Sequence, residues 1–173
     1  DGKYIYQVTG RKVAVSKVNP ADKMEVLSVL DYEDEGFTPM ELYLGDKKLI
    51  VIGAAQGYIP LYIEGDSTAD RVNGPKVWNN TVKAIIYDIS DRESVKMLRE
   101  VELEGNYVSS RKIESSVYIV VNKYLDYYGV KEGEVSPTPS YRDTLNDDGY
   151  KSIDCNSICY FPGIIRPNFL ITA

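Results

Sequence analysis

The sequence is short of the residues that many catalytic sites require. Its 173 residues include no histidine, two cysteines, one tryptophan and three phenylalanines. Without histidine, the chain has no Ser-His-Asp or Cys-His catalytic pair and no His-ligated zinc site. Basic residues are also outnumbered, with 20 lysines and arginines against 26 aspartates and glutamates and a formal net charge of −6. Because nucleic acid binding needs clustered cations, we expect no nucleic acid partner.

Long hydrophobic runs are absent as well. The longest, from Leu49 to Ala55, has the length of a strand, whereas a membrane-spanning helix needs about 18 or more apolar residues. We therefore expect no membrane span. The chain opens at Asp1 without the basic start, apolar stretch and small-residue cleavage site of a signal peptide. We expect that a signal peptide has been removed or that the chain is an excised piece of a longer protein.

The composition that remains is that of a globular protein. Hydrophobic residues make up 43% of the chain and charged residues 27%, which argues against wholesale disorder. A chain of this length is one ordinary domain and buries roughly 70% of the surface that it exposes when unfolded. We therefore expect a single domain over residues 1–173.

Strand signals dominate the chain, because short runs rich in Val, Ile and Tyr alternate with turn residues. The predicted strands are 3–9, 12–19, 25–32, 41–44, 48–54, 58–63, 82–89, 97–103, 106–113 and 117–124. No window sustains an apolar period of 3.6 residues, so helix should be scarce. Two polar segments rich in Gly, Pro, Asn and Asp, 64–80 and 129–149, predict long exposed loops. The pattern predicts an all-β fold.

The strand pattern also repeats. Residues 13–19 (VAVSKVN) and 84–90 (AIIYDIS) have small and β-branched residues at corresponding positions. Each segment is followed by a polar turn and a further strand. The strand that precedes the unit recurs as 3–6, 48–51 and 117–120. Four antiparallel strands in roughly 40 to 50 residues form the blade of a β-propeller.

Several segments resemble one family of proteins. Residues 83–91 (KAIIYDISD) look like a recurring V-Y-D-I-S-D stretch, and 105–113 (GNYVSSRKI) is similar to a G-x-Y-x-x-S-R-x-I segment. Further similarity lies at 1–6, 117–122, 140–143 and 158–162. The family consists of secreted bacterial proteins with a C-terminal β-propeller domain. The resemblance implies a propeller in an extracellular location, and it implies no catalytic residue because the family's molecular function is not established.

The chain is short for a closed propeller. Closed propellers have four to eight blades, and 173 residues less two long loops supply about three. We therefore expect a partial β-propeller, either an excised fragment or a short relative, with open blade edges. Missing blades of a longer chain, or a second copy, would have to cover those edges.

A few residues are candidates for ligand contacts. Arg111 carries a fixed fork of donors that suits a carboxylate, although it would equally tie blade backbones or neighbouring acidic side chains together. Tyr124, Tyr127 and Tyr128 cluster before a long loop. Exposed tyrosines there would suit a carbohydrate or a peptide, because each ring joins an apolar body to a polar tip.

Other segments leave two interpretations open. Cys155 and Cys159 are close enough in sequence for a disulfide, but the small loop that it closes would add little stability. Residues 143–149 (DTLNDDG) are rich in oxygen ligands but do not fit the EF-hand spacing, so they form either a looser calcium loop or a solvated turn. We expect no metal and no cofactor.

These exclusions favour binding over catalysis, and the resemblance implies a secreted bacterial protein. We therefore expect a non-enzymatic scaffold that binds a protein or a cell-wall glycan at the bacterial surface. The alternative is a carbohydrate-active enzyme, or the carbohydrate-binding part of one, that uses paired carboxylates and needs no histidine. Asp88 and Asp91 flank Ser90 and would either supply such a pair or bond their own backbone in a turn.

Overall fold

The computed structural model describes residues 2–60, 76–126, 130–131, 137–160, 162–163 and 168–173. Twelve β-strands dominate these residues, which confirms the all-β prediction. They are β1 (Tyr4–Thr9), β2 (Lys12–Lys17), β3 (Glu25–Asp31), β4 (Phe37–Gly45), β5 (Lys48–Pro60), β6 (Lys76–Asp88), β7 (Lys96–Glu104), β8 (Asn106–Ile113), β9 (Ser116–Tyr124), β10 (Ser140–Asp143), β11 (Asp147–Ser152) and β12 (Asn168–Thr172). In the described part of the chain, no helix has the length and hydropathy needed to cross a membrane.

The fold divides into two compact units. The first comprises Asp1–Ala55 and Lys83–Glu100, and the second comprises Gln56–Val82 and Val101–Ala173. Strands β5, β6 and β7 therefore contribute one part of their length to each unit.

The first unit contains the apolar core. Antiparallel strands β1, β2 and β3 form one sheet, and β4 to β7 follow one another as four neighbouring strands, as the sequence predicts for a blade. Nine buried residues form the core cluster: Val13, Tyr32, Phe37, Leu49, Val51, Ala55, Ile85, Tyr87 and Ile89. The Tyr32 hydroxyl donates to the Tyr87 hydroxyl at 2.9 Å, and burial raises the pKa of both phenols.

The second unit departs from four strands per blade. There β10 pairs with β7, and β11 pairs with β10, so five strands, β5, β6, β7, β10 and β11, lie side by side. A separate antiparallel sheet has the order β12-β9-β8. The second unit also holds the buried polar residues Thr81, Glu102, Glu104, Lys123, Thr138 and Ser140.

Several element boundaries differ from those predicted. Residues 48–60 form one strand, although Gln56-Gly57 favours a break. Strand β4 pairs with this strand only as far as Ala55, and β6 is its neighbour along the other edge, where Gln56 contacts Asn80. Strand β6 begins at Lys76 and β10 at Ser140, inside segments predicted to be loops. The polar residues of β10 pair with β7, a tertiary contact that local composition does not reveal. The rest of the predicted loops, 64–75, 129 and 132–136, lies outside the described residues.

The close approach of β4 to β5 depends on Gly53. A Cβ placed there would overlap the Thr38 carbonyl oxygen and would lie 2.8 Å from the Phe37 ring. We predict that Gly53→Ala lowers the free energy of unfolding by about 1–3 kcal/mol, because the strands must move apart. Urea denaturation measures this change. The matched control is Gly45→Ala in the same strand pair, where nothing lies within 4 Å; a similar loss in both variants would contradict the prediction.

Candidate functional site

The structure places the predicted ligand contacts in different surroundings. Arg111 lies exposed on β8, opposite Tyr118 of β9. Its side chain makes no hydrogen bond or ion pair with another described residue. Neither a carboxylate clamp nor a tie to an acidic side chain is therefore formed within the described chain, and its role in ligand binding stays a prediction. Tyr124 ends β9 and is 69% exposed. Tyr127 and Tyr128 lie outside the described residues.

The structure also shows the state of the two cysteines and of the turn that contains Asp88 and Asp91. Cys155 and Cys159 are both exposed free thiols, so the structure contains no bridge between them. Asp88 accepts from the Ser90 amide at 2.8 Å and Asp91 from the Glu93 amide at 3.0 Å, which is the turn interpretation of this pair. A hydrogen bond from the Ser90 side chain, together with the one from the Ser90 amide, holds the pKa of the Asp88 carboxyl below its usual range.

The oxygen-rich segment that begins at Asp143 also forms a turn. One Asp143 carboxylate oxygen accepts from the Leu145 amide and the other from the Asn146 side chain, both at 3.1 Å. No group of three or more His, Cys, Asp or Glu residues that could hold a metal ion occurs among the described residues.

The most unusual feature of the second unit is a pair of buried glutamates that the sequence interpretation missed. Glu102 and Glu104 are each 2% exposed and project from the same face of β7, because side chains two residues apart on a strand share a face. Alternating Glu with Val and Leu normally indicates a solvated face. Here basic residues on other strands cover that face instead. In the sequence, a buried ion pair is indicated only by Lys123, a charged residue inside a predicted strand; Arg142 lies in a segment predicted to be a loop.

Both carboxylate oxygens of Glu102 have protein partners. The Thr81 hydroxyl donates to Oε1 at 2.6 Å, and the Arg142 guanidinium donates to Oε2 at 3.0 Å. The Arg142 side chain is itself 18% exposed, so this is a largely desolvated ion pair. Such pairing is what allows a carboxylate to remain buried.

Glu104 is bonded from three other strands. The Asn79 side-chain amide of β6 donates to Oε1 at 2.7 Å, and the Ser140 backbone amide of β10 donates to Oε2 at 2.9 Å. The ammonium nitrogen of Lys123 on β9 lies 2.7 Å from Oε1. The Glu104 carboxylate therefore connects β6, β7, β9 and β10.

Lys123 has unused hydrogen-bonding capacity. Its side chain is 8% exposed, and its Nζ is at ion-pair distance from Glu104 but makes no directed hydrogen bond. A lysine ammonium carries three donors, and burying them without partners is costly. Because its Nζ has less than 1 Å² of exposed surface, Lys123 serves in this structure as the counter-ion of Glu104.

A cavity of about 150 Å³ lies beside this ammonium. Its lining residues are Asn79, Asn80, Glu104, Gly105, Asn106, Lys123 and Tyr124, which we call the amide pocket. Gly105 has φ +128° and donates its amide to the Asn80 carbonyl at 2.8 Å. A Cβ there would lie 2.7 Å from the Asn122 carbonyl oxygen, so only glycine fits this bend between β7 and β8.

Side-chain amides connect the pocket to the adjoining strands. Gln56 on β5 donates to Asn80 at 3.1 Å, and Asn80 donates to Asn106 at 2.9 Å. Within the described chain this leaves the Asn106 amide nitrogen without an acceptor and the Asn79 amide oxygen without a donor. The pocket therefore offers an amide donor and an amide acceptor beside the Tyr124 ring.

The Glu104–Lys123 pair gives a direct test of this arrangement. We predict that Glu104→Ala or Lys123→Ala lowers the free energy of unfolding by about 3–5 kcal/mol, because each leaves a buried charge unpaired. The double variant should lose less than the sum of the two single losses. Chemical denaturation of the four proteins measures the coupling. Exposed Glu114→Ala is the control, and strictly additive losses would contradict a coupled pair.

Comparison with known proteins identifies the fold family. A scan against protein-family models matches the Beta propeller domain over residues 1–173. Searches of curated proteins and of solved structures give no match. The family match spans the entire chain and agrees with the antiparallel, nearly all-β structure. This chain belongs to the beta propeller domain family.

Proposed function

We propose that this β-propeller chain is a non-catalytic binding module and that the amide pocket is its ligand site. The observation that carries the proposal is a cavity lined by Asn79 and Asn106, whose side chains keep an amide acceptor and an amide donor without partners in the described chain. Small-molecule sites combine a concave surface with a few convergent polar groups. The exposed Tyr124 ring adds contact area at the rim.

The bonding of the glutamates favours binding over hydrolysis. A glycosidase needs two carboxyl groups facing one cleft, one of them able to give its proton to the leaving group. In Glu102 and Glu104, all carboxylate oxygens are held by protein donors. Of the two, Glu104 alone lines the amide pocket. The carbohydrate-active enzyme is therefore the weaker alternative.

The setting of the module rests on sequence resemblance. Residues 83–91 and 105–113 are similar to segments of secreted bacterial propeller proteins, which supports a location at the bacterial cell surface. Within the described residues, β12 and β8 are the outer strands of their sheet. Uncovered strand edges invite pairing, so missing blades of a longer chain, or a second copy, are the expected partners there.

Tyr124 allows the ligand site to be tested without disturbing the core. We predict that a ligand found on glycan and peptide arrays binds Tyr124→Ala at least tenfold more weakly, because the ring at the pocket rim is lost. Isothermal titration measures the affinity. The matched control is Tyr118→Ala on the same strand, which is 52% exposed and away from the pocket lining. It should retain affinity within twofold.

Two results would contradict the proposed function. Equal affinity of Tyr124→Ala, Lys123→Gln and the unmodified chain would place the ligand elsewhere. Cleavage of an array glycan, detected by mass spectrometry of the products and lost in Glu104→Gln, would favour the enzyme.

A further inference from the structure

An exposed aromatic pair lies in the second unit, on the strands that lead to the amide pocket. The rings of Tyr58 on β5 and Trp78 on β6 meet edge to face, with their centroids 4.8 Å apart. Tyr58 is 62% exposed and Trp78 is 53% exposed. Tryptophan is highly buried on average, so an exposed Trp–Tyr pair indicates a contact surface.

This pair continues directly into the amides of the pocket. Gln56 and Tyr58 share one face of β5, as Trp78 and Asn80 share one face of β6, because each pair is two residues apart. Two residues further along β5, from Gln56 to Tyr58, the partner on β6 moves two residues back, from Asn80 to Trp78, as in antiparallel strands. The Gln56–Asn80 pair and the Tyr58–Trp78 pair therefore lie about 6.7 Å apart along the strands. We call these four residues the amide–aromatic strip.

The chemistry of the strip fits a neutral sugar chain. Its four side chains carry no charge, and they present two aromatic rings beside two planar amides. The apolar faces of sugar rings pack on aromatic side chains, and their hydroxyl groups exchange hydrogen bonds with amides. The strip ends at Asn80, which also lines the amide pocket and donates to Asn106. A chain lying on the strip would therefore reach the pocket.

The polar groups of the pocket match one substituent of such a chain, the N-acetyl group. An N-acetyl group has a carbonyl oxygen that accepts and an amide N–H that donates. The Asn106 amide nitrogen supplies a donor, and the Asn79 amide oxygen supplies an acceptor. A cavity of about 150 Å³ has the volume of about five waters, which is room for this group.

We propose that the strip and the pocket together bind a glycan of N-acetylated amino sugars. A sugar ring packs on Tyr58 and Trp78, and an N-acetyl group enters the amide pocket and binds Asn106 and Asn79. The inference rests on the proposed binding function and specifies its ligand class.

Trp78 provides the readout, because it is the only tryptophan of the chain. We expect titration with the β-1,4-linked hexasaccharide of N-acetylglucosamine to change Trp78 fluorescence saturably and to protect it from acrylamide quenching. Cellohexaose has the same linkage without N-acetyl groups, and we expect it to bind at least tenfold more weakly. Both effects are measured on the full chain.

Variants separate the two halves of the site. Tyr58→Ala, at an exposed position, should weaken both hexasaccharides at least fivefold, whereas Tyr118→Ala should change neither. Asn106→Ala, at an exposed residue, should remove most of the preference for the N-acetylated hexasaccharide without removing a buried charge. A preserved preference in Asn106→Ala would overturn the assignment of the pocket.

Failure of this inference is distinguishable from failure of the binding function. An array ligand that depends on Tyr124 but leaves Trp78 fluorescence unchanged would overturn the glycan strip and leave the binding function intact. No response to either hexasaccharide at millimolar concentration, or protection of Trp78 by an array peptide alone, would also overturn it. A saturable Trp78 response with selectivity for N-acetylated sugar, lost in Asn106→Ala, would support it.

Discussion

The buried ion pair between Glu104 and Lys123 is the constraint on which the second unit depends. A carboxylate that is 2% exposed is tolerated because it accepts from Asn79 and from the Ser140 backbone while it faces the ammonium at 2.7 Å. These partners come from three other strands, so the pair fixes the relative positions of four strands. Removing either charge would leave the other buried and uncompensated.

The second unit also has a pocket beside this pair. Gly105 bends the chain directly after Glu104, and the cavity there is lined by Asn79 and Asn106, which keep an amide acceptor and an amide donor without partners in the described chain. The core cluster of the first unit consists of aromatic and aliphatic side chains, and their burial stabilises that unit.

Local pattern predicted most of the fold. Val, Ile and Tyr runs bounded by turn residues indicated β1 to β9, because strand propensity and turn chemistry are local properties. The pattern nevertheless divides β5 into two strands and begins β6 at 82 rather than at Lys76. The pattern missed β10 and β11, whose polar residues become strand by pairing with β7. Of the predicted site residues, Tyr124 lines the amide pocket. Arg111 and the two cysteines lie outside its lining.

The sequence by itself determined the fold class, the blade-like repeats and the absence of histidine chemistry, because composition and short-range periodicity carry that information. Only the tertiary structure decided that Glu102 and Glu104 are buried rather than solvated, since their cationic partners Lys123 and Arg142 are distant in sequence. It likewise decided that the exposed aromatic pair of β5 and β6 leads into the amide pocket. Such juxtapositions arise from strand pairing, which local sequence does not encode.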